Sequence, residues 1–202
     1  MADRDTILRD AARRPIEAVV IGASAGGFEA LLHLLPPLPA GYRLPIAIVL
    51  HLPDHVESRL AELFGRRCAL PVREARDKEP IEPGVVYFAP PGYHLLVESD
   101  HSFSLSGEER VNFARPAIDL LMLSAADAYG PRLCGILLTG ANFDGAEGLA
   151  GIRIAGGLAV VQDPATADVA TMPAAAIRRM PPDLVLPLAD IGALLLALGR
   201  PT

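Results

Sequence analysis

One stretch constrains this chain more than any other, the run from Ile16 to Gly27. Its first half is apolar and β-branched, which reads as a buried strand over Ile16–Ile21. The run breaks at Gly22, presents a hydroxyl at Ser24 and turns through Gly26-Gly27. Apolar residues then return at helical spacing over Gly27–Leu35, until Pro36-Pro37-Leu38-Pro39 ends the helix. A strand, a tight turn and a helix with a serine at the apex form the unit on which the rest is built.

The unit recurs. Ile46–Leu50 is an unbroken apolar strand that ends at His51, Pro53 breaks the chain, and Val56–Arg66 has helical spacing. Further on, Leu133–Leu138 is a buried strand ending at Thr139-Gly140, followed by a helix over Gly145–Ala155. A strand at Leu158–Val161, a helix at Pro173–Arg179, a short strand at Leu184–Leu186 and a closing helix at Asp190–Leu198 complete the series. This alternation predicts an α/β domain, a mostly parallel sheet with helices on both faces. The rhythm changes between 71 and 110. There Val85–Ala89, His94–Glu98 and Ser102–Ser106 are short strands separated by turn residues, which reads as an antiparallel β-hairpin at one sheet edge. Helical spacing resumes after Arg115-Pro116 over Ala117–Ala128. Residues 1–15 form a charged lead-in, frayed or helical, and 16–202 a single domain.

Composition narrows the function classes. A chain of 202 residues, 51% hydrophobic and 21% charged, is globular with a sizeable core. The net charge is −6, no basic block stands out and tryptophan is absent, so nucleic acid is not an expected partner. The charged N-terminus lacks the apolar run of a signal peptide, and Ile191–Gly199 is too short to span a bilayer. Cys68 and Cys134 lack a redox or metal spacing and read as small core residues in a reducing compartment. A cytoplasmic protein without membrane insertion is expected.

Three readings compete for the turn at Ser24. Serine is a preferred N-cap, so it could simply cap the helix. A dinucleotide-binding turn needs a glycine where Ser24 stands and an acidic residue roughly 20 positions on; the next strand of this chain ends instead at His51. A nucleophile elbow fits Gly22-Ala23-Ser24-Ala25-Gly26, whose small neighbours allow a sharp turn with an exposed hydroxyl.

The elbow gains weight from what lies at the other strand ends. In an open parallel sheet, ligands bind at the carboxyl ends of the strands. Ser24, His51 and Asp144 each follow a strand there. Serine is a weak nucleophile until a base takes its proton, a neutral imidazole can do so, and a carboxylate fixes the ring tautomer. The amides at the start of the following helix would face a developing oxyanion, each such donor contributing about 3–4 kcal/mol. Each member has a plainer role available: a structural histidine, or a turn and N-cap at Asn142-Phe143-Asp144-Gly145. Asp119 and Asp54 are rival carboxylates, and His55 and His94 rival bases. His51 and His55 are four apart, but Pro53 between them argues against a shared metal-binding helix face. No metal or cofactor is expected.

At these residues the chain resembles the catalytic domain of the chemotaxis protein-glutamate methylesterase, CheB. The likeness rests on Ile21–Gly27, Val49–Pro53, Pro83–Pro90, Val111-Asn112 with Arg115-Pro116 and Asp119, Leu138–Gly140 with Asp144–Ala146, Gln162-Asp163 and Met172-Pro173. It implies a doubly wound three-layer sandwich with a β-hairpin. It implies a serine hydrolase that demethylates glutamyl methyl esters on chemoreceptor cytoplasmic domains, releasing methanol, and in some members deamidates glutamines. The family nucleophile falls on Ser24, its base on His51 and its carboxylate on Asp144. Oxyanion and substrate contacts are expected from Ala25, Gly26, Thr139, Gly140, Ala141, Arg115 and Met172.

Three departures bear on the substrate. Ala25 stands where receptor-adapting members usually carry threonine, Ala141-Asn142-Phe143 replaces Met-Gly before the aspartate, and Ala174-Ala175 replaces a charged pair. Typical members also carry an N-terminal receiver domain of about a hundred residues or more. Only some fifteen residues precede the first strand here. The expectation is a standalone esterase, or one controlled by a separate protein such as a response regulator. Two other readings remain: an esterase for another substrate in a different sensory pathway, and a non-enzymatic interaction module.

Overall fold

The computed structural model describes residues 4–52 and 59–199. The helices are α1 (Arg4–Ala12), α2 (Gly27–Leu34), α3 (Leu60–Gly65), α4 (Ile118–Tyr129), α5 (Ala146–Ile154), α6 (Thr171–Arg179) and α7 (Leu188–Leu198). The strands are β1 (Ala18–Ala23), β2 (Ile46–Leu50), β3 (Val72–Glu74), β4 (Val86–Phe88), β5 (His94–Val97), β6 (Phe103–Ser106), β7 (Leu133–Leu137), β8 (Leu158–Gln162) and β9 (Leu184–Leu186). Seven of these make one sheet in the order β3-β4-β2-β1-β7-β8-β9, and every pairing in it is parallel.

Both faces of that sheet are covered, which is why its strands are continuous apolar runs rather than alternating ones. Val19, Ile21, Ile46, Ile48, Ile136 and Val160 point into a core with residues of α1, α2, α3 and α7. Their neighbours Val20, Ala47, Val49, Leu137 and Val161 point the other way, into a core with α4, α5, α6 and the β5–β6 hairpin. This is the doubly wound three-layer arrangement. The chain leaves β1 for α2 on one face and β7 for α5 on the other, so a crevice opens between the ends of β1 and β7.

The structure corrects three local expectations. The chain does not break at Gly22: β1 runs on to Ala23. Glycine is needed there for packing, because an added Cβ would run into Ile118 Cγ2 of α4 and lie 3.0 Å from Leu137 Cδ1. Val85–Ala89 is not a hairpin strand: β4 is fully buried and pairs in parallel with β2 and β3. The antiparallel hairpin is not part of the main sheet's edge either. β5 and β6 form a two-stranded sheet of their own, with Leu95 opposite Leu105. Phe103 of the hairpin meets Tyr87 of β4 edge-on at 4.9 Å, which fastens the small sheet over the large one. The turn residues around Val85–Ala89 suggested hairpin chemistry, but an all-apolar three-residue strand with both faces covered belongs inside a sheet. The helix expected from Val56 begins, within the described residues, at Leu60; Pro53, Asp54, His55 and Val56 lie outside them.

Candidate active site

Ser24 sits just past β1. Its N–H donates to the Thr139 carbonyl at 3.0 Å, and its own carbonyl accepts from the Gly27 N–H at 2.7 Å, closing the turn. The N-cap of α2 is Gly26, with φ at 76° and no side-chain cap bond, so Ser24 does not cap the helix. A side chain at position 26 would be strained by that φ and would meet Asp168 Cβ at 2.6 Å. Ser24 is half-buried, and its hydroxyl makes no hydrogen bond among the described residues. No hydrogen bond joins it to His51, a looseness common before substrate binds.

Register brings His51 alongside. Ala23 of β1 pairs with Leu50 of β2, and the His51 N–H donates to the Ala23 carbonyl at 3.0 Å. The next residues of the two strands, Ser24 and His51, therefore emerge side by side at one rim. The imidazole Nε2 lies 2.9 Å from Asp144 Oδ2, which leaves Nδ1 as the nitrogen without that partner.

Asp144 is fully buried. The turn reading of Asn142–Gly145 holds for the backbone: the Asp144 N–H donates to Asn142 Oδ1 at 3.2 Å and Gly145 has φ at 93°. The capping reading does not hold for α5, whose N-cap is Gly145 without a side-chain bond. The carboxylate instead receives the first amides of α4, Ile118 N–H at 2.7 Å and Asp119 N–H at 3.1 Å. Burial pushes the Asp144 carboxyl up. The bonds from His51, Asn112 and those two amides outweigh it and hold the group below the usual carboxylate range. The positive end of α4 adds to this.

The rivals fall elsewhere. Asp119 makes no bond to His51; burial, with the Asp144 charge, raises its pKa to about 6 against the N–H of Gly148 and the amide of Asn112. His94 is wholly buried, with Nε2 donating to the Glu109 carbonyl and Nδ1 accepting the Ala117 N–H. Asp54 and His55 lie outside the described residues.

The other expected site residues divide. The backbone N–H groups of Ala25 and Ala141 have no protein acceptor among the described residues, so they are available to an oxyanion. Gly140 is pressed against the site: a Cβ there would lie 2.6 Å from Met172 Cε and 2.9 Å from Ser24 Cβ. Its N–H is occupied by the Val169 carbonyl at 3.1 Å. Thr139 is buried and its hydroxyl is committed to protein, donating to the Ala25 carbonyl and accepting the Val169 N–H, both at 2.9 Å. It shapes the turn after Ser24. Arg115 donates from Nη1 to the carbonyls of Gly107 and Glu108, both at 2.9 Å, and has no bond to Ser24, His51 or Asp144. These bonds brace the segment just after β6 and use one guanidinium nitrogen.

Two residues carry more of the site than sequence reasoning assigned them. Gln162 accepts the Thr139 N–H at 2.9 Å and donates to the Thr166 carbonyl at 3.0 Å, fixing the loop after β7. Asn112 donates to Asp144 and Asp119 together. Both stand in stretches that resemble the family, and that resemblance was the one signal available for them.

The family model for CheB methylesterase matches residues 19–195. The chain belongs to the CheB methylesterase family. A Leptospira interrogans protein named as a candidate protein-glutamate methylesterase/protein-glutamine glutaminase is 48% identical over 184 residues, 91% of this chain and 95% of that one. Protein-glutamate methylesterase/protein-glutamine glutaminase 2 of Anaeromyxobacter dehalogenans is 43% identical over 98% of this chain and 57% of its own length. The crystal structure of the Thermotoga maritima CheB methylesterase catalytic domain superposes with a TM-score of 0.86 at 34% identity, covering 91% of this chain and 98% of that one. The fold assembled above is therefore the CheB catalytic fold.

Proposed function

We propose that this chain is a protein-glutamate methylesterase, a carboxylic-ester hydrolase acting on glutamyl methyl esters of chemoreceptor cytoplasmic domains. The observation that carries the reading is the His51 Nε2 to Asp144 Oδ2 bond, formed beside Ser24 at the ends of β1 and β2. Asp144 holds the Nε2–H tautomer, so Nδ1 is the base. Ser24 Oγ attacks the ester carbonyl while Nδ1 takes its proton. The oxyanion gathers the free N–H groups of Ala25 and Ala141. Collapse expels methanol, which takes the proton back from His51, and leaves an acyl–Ser24 ester. Water then attacks that ester with His51 again as base, releasing the glutamate carboxyl and the Ser24 hydroxyl. A glutamine side chain would follow the same steps with ammonia as leaving group, which supports a glutaminase activity as well.

The partner on this reading is a methylated chemoreceptor, with a response-regulator protein as the proposed controller. No helix among the described residues is long and apolar enough to cross a membrane. We place the activity in the cytoplasm, where the receptor domain carrying the ester would lie. A second substrate class is favoured by one feature: Phe143 is 54% exposed immediately before Asp144, in the segment where this chain departs from its family. An esterase of another sensory pathway would use the same machinery behind a different rim.

A fluorophosphonate probe tests the nucleophile. Mass spectrometry should place the adduct on Ser24, with loss of adduct in His51→Ala. Equal labelling of a different serine, with Ser24 unmodified, would overturn the assignment.

A further inference from the structure

Residues 111–114 form a tight turn just before α4. The Val111 N–H donates to the Ala114 carbonyl at 3.1 Å and the Ala114 N–H returns a bond to Val111 at 2.9 Å. Both central residues are left-handed, Asn112 with φ at 51° and Phe113 with φ at 64°. Asparagine tolerates that region; phenylalanine does not do so readily, and this one is 88% exposed. A strained turn persists where surrounding structure holds it, and such turns gather at functional sites. Here the turn aims one amide inward. Asn112 Nδ2 lies 2.7 Å from Asp119 Oδ2 and 3.0 Å from Asp144 Oδ1. Its two hydrogens serve two carboxylates, both buried.

We propose that Asn112 is a positioning residue for the hydrolysis, its amide keeping Asp119 and Asp144 as two separate anions so that Asp144 stays a pure acceptor for His51. The inference rests on the esterase reading above. Two buried carboxylates that lack a donor between them repel, and the pair takes up a proton at a higher pH. A proton on this pair would weaken the grip of Asp144 on His51 Nε2–H and free the ring to take the wrong tautomer. The pair stands close to that point, since Asp119 is already raised to about 6 by burial and the neighbouring Asp144 charge. The other titratable or charged groups around it are few. His51 bonds Asp144, His94 is tied to Ala117 and Glu109, Arg110 donates to the Phe113 carbonyl, and Glu147 on α5 is paired with Arg179. Among these, Asn112 is the side chain that bonds both carboxylates.

The test is Asn112→Gly, which keeps the positive φ without strain and removes the amide. Two quantities are read against pH: kcat and KM for methanol release, and the carboxyl 13C resonances of Asp119 and Asp144. The expected result is a kcat on the order of 10²-fold lower at pH 6 with KM little changed, recovering toward wild type as the pair ionises at higher pH. The pair's upper titration should move above that of the wild type. Asn112→Asp, nearly isosteric, adds a third charge and should move it further; it carries the same test if the glycine variant does not fold. An unchanged kcat, or a loss of kcat independent of pH with the titration unmoved, overturns the proposal. A wild-type protein that releases no methanol would instead refute the esterase reading, and the carboxyl titration would still decide what Asn112 does to the pair.

Discussion

Asp119 and Asp144 are adjacent buried carboxylates with opposite tendencies. Asp144 is held low by four donors, whereas Asp119 is raised from 3.8 to about 6, chiefly by burial. The sign of the Asp119 contribution follows from linkage. Between about pH 4 and 6 the folded state holds a proton that the unfolded state has lost, so this contribution to stability falls as pH rises through that window. Its full span is on the order of 3 kcal/mol. Asp144 acts in the opposite sense: its contribution is present above the unfolded carboxylate value and is lost as pH falls through its lowered folded one. The difference in urea-unfolding free energy between Asp119→Asn and wild type should therefore shift in favour of the variant from pH 4 to pH 7, whatever hydrogen bond the amide forfeits. A pH-independent difference would show that Asp119 is ionised normally.

At the scale of elements, α4 joins the fold to the chemistry. Its first amides bind Asp144, and its Ile118 side chain lies on Gly22 of β1 and Gly145 before α5. Gly22→Ala would force Ile118 to move, at a cost of about 1–3 kcal/mol in unfolding free energy. Combining it with Ile118→Ala should be clearly less damaging than the sum of the two single changes, because the second makes room for the first. Strict additivity would mean that the added methyl is absorbed elsewhere. Much of this layer was legible beforehand. The apolar runs at β1, β2, β7 and β8 fixed a parallel sheet, and a parallel sheet places Ser24, His51 and Asp144 at one rim. What could not be read was contact between elements remote in sequence. Gly22 looked like a break because its reason is Ile118, 96 positions on. The bonds from Arg115 to the carbonyls of Gly107 and Glu108, at the hairpin end, were equally illegible. Asn112 matched a family motif, but its role needs Asp119 and Asp144 to meet in space.

The described residues form a doubly wound frame with the proposed reactive groups on the loops at one end. Three parallel strands fix the positions of those loops; the first amides of α4 and the Asn112 amide hold the Asp144 carboxylate, and Gln162 holds the Thr139 backbone. The frame is shared with the Thermotoga maritima catalytic domain, and the rim carries Ala25 and Ala141–Phe143, where departures from the family are expected from the sequence. One experiment tests the proposed chemistry most directly. Methanol release from methyl-labelled chemoreceptor cytoplasmic domain should be measured for the wild type and for Ser24→Ala, with circular dichroism confirming that the variant is folded. Release by the wild type and none above background by the folded variant is the expected result. Equal release by both, or none by the wild type on a fully methylated receptor, would contradict the account.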